Sequence, residues 1–152
     1  MYHETVCVDN PRKNALDAMK NSVSCEQWER NSEFTTRLRQ KIKSHPISSH
    51  PVLELLYKGR FSRDSIKTIH LDYRHAIVQI FTDALLMAQV QTKQLEPRLP
   101  SGSKMFPRFL LTLNILDEFG FEAGHDVDGY YRGNPKLAHY PLFEGVLNDL
   151  GV

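Results

Sequence analysis

The chain reads as an all-α helical bundle, and three features predict it. An apolar period of three and four residues runs from about Asp64 to Gln91. No segment alternates apolar and polar residues for long, so no strand is expected. Helix start signals recur at Ser24, Pro51, Ser62 and Pro141. With 152 residues, 41% hydrophobic and 24% charged, the chain has the size and composition of one globular domain.

Residues 1–23 show no sustained apolar period and read as a flexible leader, with one helical turn near Leu16 and Met19, or as a docking arm. The bundle domain is expected over 24–152. Ser24 and Gln27 have capping-box spacing, and Phe34, Leu38 and Ile42 then recur on one face until Pro46 stops the helix. Ser49 or His50 caps a short helix with Pro51 in its first turn, Leu55 and Leu56 inside and Gly59 as exit. Ser62 and Asp64 open the longest helix, about 28 residues and about 42 Å at the helical rise, the spine of a bundle. Residues 96–103 form a loop. A fourth helix runs from Met105 to Phe119, and residues 120–135, rich in glycine, form a loop or broken segment. The last helix starts near Tyr140 and ends at Gly151.

Composition excludes several function classes. Lys+Arg is 19 and Asp+Glu is 18, a net charge of +1, without the basic excess of a nucleic-acid binder. No apolar run is long enough to cross a membrane, and the N-terminus lacks a signal-peptide core. Cys7 and Cys25 stand outside any C-x-x-C pair and read as free thiols. The expected setting is the cytoplasm, with neither nucleic acid nor membrane as partner.

The chemistry concentrates in residues 114–143. Glu122 and His125 have E-x-x-H spacing, which on a helix puts a carboxylate and an imidazole on one face, as di-iron bundle sites do. Glu118 closes a helix with apolar neighbours, and His139 stands just before the last helix. Carboxylate with imidazole suits iron and leaves positions open for oxygen. The ordinary readings stand beside these: Glu118 as a solvated helix end, His139 as a cap, E-x-x-H as a chance spacing that Gly120 and Gly124 take off a helix. Asp83 lies in an apolar stretch and either pairs with a neighbouring Arg or Tyr or lines a cavity. His70 and Tyr73 share a face that could meet a pocket, or pack. The basic run over 37–43 reads as a solvated helix face.

Asn114, Asp117, Glu118 and Gly120, followed by Ala138, His139, Leu142, Phe143 and Leu147, resemble the motif of haem-oxygenase-like di-iron oxidases and oxygenases. The upstream S-H-P-V-L-E-L-L and G-R-F-S segments, before a long helix, are similar to the layout of that family and of its relatives thiaminase II and pyrroloquinoline-quinone synthase. The resemblance covers about residues 30–152. It implies a haem-oxygenase-like bundle in which Glu118 and His139 ligate Fe2+, alone or in a di-iron centre, with His125 as competing ligand. It also implies O2 and a small organic substrate; Asp83, Tyr73 and His70, from their places on the long helix, are the candidates to bind it. Residues 121–135 look inserted relative to the family. The chain ends at Val152, before the family's H-x-x-x-D-x-x-H helix, so half of the ligand set and the C-terminal helices are expected to be missing and inner helix faces exposed. The alternatives are a metal-free thiaminase-II-like hydrolase and a helical ligand-binding or oligomerisation domain; a homodimer is the partner that exposed apolar faces suggest.

Overall fold

Side-chain caps start helices where the sequence places them. Ser24 Oγ accepts from Gln27 N at 3.2 Å, His50 Nδ1 from Val52 N at 3.2 Å and Ser62 Oγ from Ser65 N at 3.1 Å. The computed structural model describes residues 10–152. Over them the fold is all-α: α1 Pro11–Asn21, α2 Cys25–Lys43, α3 Pro51–Tyr57, α4 Arg63–Tyr73, α5 Gln79–Gln91, α6 Met105–Glu118 and α7 His139–Leu150. The capping box of α2 is half made, because Gln27 turns its amide to Asn31 and Arg30 rather than back to the cap.

Three expectations need correction. The leader is a helix over Pro11–Asn21, where one turn was expected. Asn10 Oδ1 accepts from Lys13 N at 2.9 Å, Pro11 sits in the first turn, and Ala15 is buried where α1 packs on α6. Its apolar face is narrow because one small residue suffices for a close helix approach. The rest of the leader, with Cys7, lies outside the described residues. The long helix contains a π-helical turn at Arg74–Val78 between α4 and α5. The extra residue in that turn is invisible to a period count, since Tyr73, Ile77 and Phe81 still recur every four residues. The glycine-rich loop holds a hairpin, β1 Phe121–His125 with β2 Tyr131–Gly133, paired antiparallel with a bulge. Asp126 closes its turn by accepting from Asp128 N and Tyr130 N through Oδ1. The strands are too short to show alternation, and their glycines read as loop.

Helix α6 is the centre. It packs against α1, α5, β1 and α7, while α7 also packs on α4 and the π-turn. Among the described residues the buried apolar side chains are Ala15, Ile115 and Leu147. Polar bonds lock α5 to α6: Gln89 Nε2 donates to Thr112 Oγ1 at 2.8 Å, and Arg108 Nε to the buried Thr92 Oγ1 at 2.8 Å. Arg63 and Lys67 donate to the carbonyls of Asp149 and Gly151, placing cations at the C-terminus of α7, where its dipole favours them. Large apolar side chains are exposed on both helices: Ile77, Ile80, Met87 and Val90 on the long helix and Met105 and Phe109 on α6. No helix among the described residues is long and apolar enough to cross a membrane.

The connection after Glu96 is closed by its carboxylate. Oε1 accepts from Gly102 N at 3.2 Å and Oε2 from Lys104 Nζ at 2.8 Å. The Lys104 ammonium bond, first, then the Gly102 N–H, holds the Glu96 carboxyl below its ordinary value. A group depressed in the folded state stabilises above its unfolded value and loses that contribution as pH falls through the folded one. Acid unfolding of the wild type is therefore expected to steepen below about 4.5, the ordinary glutamate value. Glu96→Gln should flatten that limb in a pH series of thermal midpoints, and an unchanged limb would count against the closure.

Gly120 ends α6 with φ +79. A β-carbon there would lie 2.5 Å from the Asn134 carbonyl oxygen and 2.6 Å from Ala138 N. Gly120→Ala should cost about 1–3 kcal/mol, from overpacking and strain. Gly145 is interior to α7 with open space around it. There, Ala should stabilise by up to about 1 kcal/mol. Urea unfolding of both variants tests the contrast.

Candidate functional site

The site forms where two helix ends meet. Glu118 is the last residue of α6, and His139 the first of α7. Gly120 lets the chain leave α6 and returns, through the hairpin, to within touching distance of Ala138. Asn134 N donates to the Gly120 carbonyl at 3.0 Å and closes the excursion. The residues between the two groups therefore fold out as a hairpin and bring Glu118 and His139 together.

Their side chains meet, with His139 Nδ1 3.0 Å from Glu118 Oε1. Glu118 is the sheltered partner, its side chain 15% exposed against 50% for His139. The carboxylate sits at the negative end of α6, which does not favour its charge, and the imidazole stands at the first residue of α7. The pair is held by mutual contact instead.

Beside the pair runs an open groove of about 480 Å³. Its walls are Tyr73, Ile77 and Phe81 from the long helix and Phe143 and Val146 from α7, with Glu118 and His139 among its lining residues. The π-turn sets this wall. It aims Arg74 at Glu144 and Gln79 at the Tyr140 hydroxyl, two bonds that hold the long helix beside α7. The Glu144 carboxylate, bonded to the Arg74 guanidinium, keeps that guanidinium charged even more firmly than usual.

The other sequence candidates fall in different places. His125 lies on β1, stacked on Tyr131 with ring centroids 5.4 Å apart, and Glu122 pairs with Arg132 at 3.8 Å. E-x-x-H on a strand does not present two donors to one ion, which corrects the helical reading of that spacing; the histidine in contact with Glu118 is His139. Tyr73 lines the groove. His70 does not; its Nδ1 bonds to the Ile66 carbonyl at 2.8 Å and its ring stacks on Phe143, buttressing the wall from behind. Asp83 is exposed, outside the groove lining and without the Arg or Tyr partner expected for it, because its side of α5 has no neighbouring helix. Cys25 is a free, exposed thiol. Sequence reasoning missed Phe81, Tyr140 and Val146 as site residues, although their helical spacing from Ile77 and Phe143 was a usable signal.

Carboxylate oxygen and imidazole nitrogen are donors that ferrous iron accepts. Two ligands at about 2.1 Å and a right angle would stand about 3.0 Å apart, so type and spacing of the pair fit one ion. Among the described residues no group of three or more His, Cys, Asp or Glu is placed to hold a metal. The same 3.0 Å fits a hydrogen bond from a protonated Nδ1, which leaves Nε2 as an acceptor. No protein-family model matches the chain, and no curated protein or solved structure matches it.

Removing the imidazole would leave a mostly sheltered carboxylate unpaired. His139→Ala should cost about 1–3 kcal/mol. Adding Glu118→Leu to it should recover most of that loss, because the stranded charge is gone. A denaturation cycle of the two singles and the double measures the coupling, and additive effects would mean the groups do not touch in solution.

Proposed function

We propose that the groove is the reaction site of a non-haem iron oxidase or oxygenase of haem-oxygenase-like kind, acting with O2 on a small organic substrate in the cytoplasm. The observation that carries this reading is the meeting of Glu118 and His139 at 3.0 Å beside an apolar groove. The all-α fold with a long spine agrees with it. Ferrous iron held by this pair would supply activation of dioxygen. Glu118 brings negative charge to the cation from a sheltered position, and His139 adds a neutral nitrogen from the more open side. Ile77, Phe81, Phe143 and Val146 give the substrate an apolar bed, and Tyr73 offers it a hydroxyl. The described donors suffice to touch one ion.

A second reading rests on the Nδ1–Oε1 contact itself. A carboxylate that holds Nδ1–H orients the ring and leaves Nε2 to accept a proton, the arrangement of a general base in a metal-free hydrolase. Anaerobic titration with ferrous iron separates the two. The iron reading expects saturable uptake by the wild-type chain that Glu118→Ala with His139→Ala abolishes. Equal uptake by the two proteins removes it and leaves the metal-free site.

A further inference from the structure

The sequence from Glu29 to Pro51 contains no residue that is not exposed. Within it, α2 carries Phe34, Leu38 and Ile42 on one stripe, at 59%, 46% and 59% exposure. No other element packs extensively on α2 or α3. A 19-residue helix without tertiary support is marginal in water. The exposed pairs Glu26–Arg30 and Glu33–Arg37 add only tenths of a kcal/mol each. The arm formed by α2 and α3 therefore has an apolar ridge in search of a surface.

The rest of the chain has the reciprocal need. Its groove between the long helix and α7 is open and apolar, and Ile77, Ile80 and Phe81 are exposed along it or beside it. The total accessible surface is 12365 Å². A compact monomer of this mass would expose roughly 8,000 Å². Residues 1–9 could account for at most roughly 1,600 Å² of the excess at the extended-chain value, and the remainder is ample for an obligate dimer, in which each copy contributes about 1,000–2,500 Å².

Charge agrees with this match. Residues 25–60 hold seven Lys and Arg against four Glu, a net +3, with Arg37, Arg39, Lys41 and Lys43 clustered at the end of α2. Residues 61–152 hold nine Lys and Arg against eleven Asp and Glu, a net −2. Glu118 is among the groove's lining residues, and among the described residues no Lys or Arg is. One chain thus carries a basic ridge with an apolar stripe and an open apolar groove with a carboxylate in its lining. Two copies related by a two-fold axis satisfy both at once, since each ridge meets the other copy's groove.

We propose that this chain forms a homodimer in which the α2–α3 arm of each copy lies over the apolar groove of the other. The arm then becomes the outer wall of the groove and shields it from water. The dimer is independent of iron binding, because it rests on apolar surface and charge alone.

Sedimentation velocity and light scattering of the full chain test it. The expected mass is twice the 17.6 kDa of one chain. Phe34→Asp with Leu38→Asp should halve that mass, and raised salt should weaken the dimer as the charge match is screened. A photo-cross-linker at position 38 should label the other copy within residues 73–83 or 139–147. Circular dichroism of the double variant should retain the signal of α4–α7, since that substitution lies outside them. A monomer at high micromolar concentration overturns the proposal. So does a dimer indifferent to the double substitution, an aggregate without defined mass, or cross-links that avoid the groove.

Discussion

The close approach at Gly120 is the constraint on which the rest of the site depends. Only a residue without a β-carbon can sit against the Asn134 carbonyl and Ala138 N at the distances found. That contact brings the entry of α7 to the exit of α6, and with it His139 to Glu118. It also decides where the hairpin goes, because β1 leaves from Gly120 and β2 returns through Gly133 to the same point. The pair is thus a product of backbone geometry more than of helix faces. Its acid sits at the C-terminal end of α6, and the contact with His139 Nδ1 holds it there.

A second theme is the imbalance between apolar residues and places to bury them. Large side chains such as Phe34, Ile42, Ile80 and Met87 are exposed, while the buried apolar set among the described residues is small. Stability of the part that is well packed rests instead on polar locks: Gln89 and Arg108 across α5 and α6, Arg74 with Glu144, and Glu96 closing its loop. Such bonds are specific but modest in net worth. The groove is part of the same imbalance. It is an open volume of about 480 Å³ whose walls are mostly apolar side chains.

The π-turn at Arg74–Val78 joins these themes. One additional residue in a turn resets the faces of the helix beyond it. Arg74 and Gln79, five apart, both reach α7 as a result. Tyr73, Ile77 and Phe81 line the groove from the same stretch. A π-turn placed against a candidate site fits the usual company of such turns.

Local contacts were the legible part of the sequence. Caps and stops at Ser24, His50, Ser62, Gly59 and Gly151 were readable because a cap is a contact over two to four residues. The apolar period announced the long helix and the all-α class. The residues Glu118 and His139 could be singled out from their motif context, and Tyr73 from its helix face. Only the tertiary structure decided that the acid and the imidazole touch, since 21 positions separate them and the glycine contact that closes the gap has no signature in composition. It alone moved His125 out of the site, by making a strand where the spacing reads as helix, and left Asp83 without a partner. It alone docked α1 on α6 through Ala15 and left α2 bare. Periodicity says which face of a helix is apolar; what meets that face is a property of three-dimensional neighbours, which a single strand of letters does not carry.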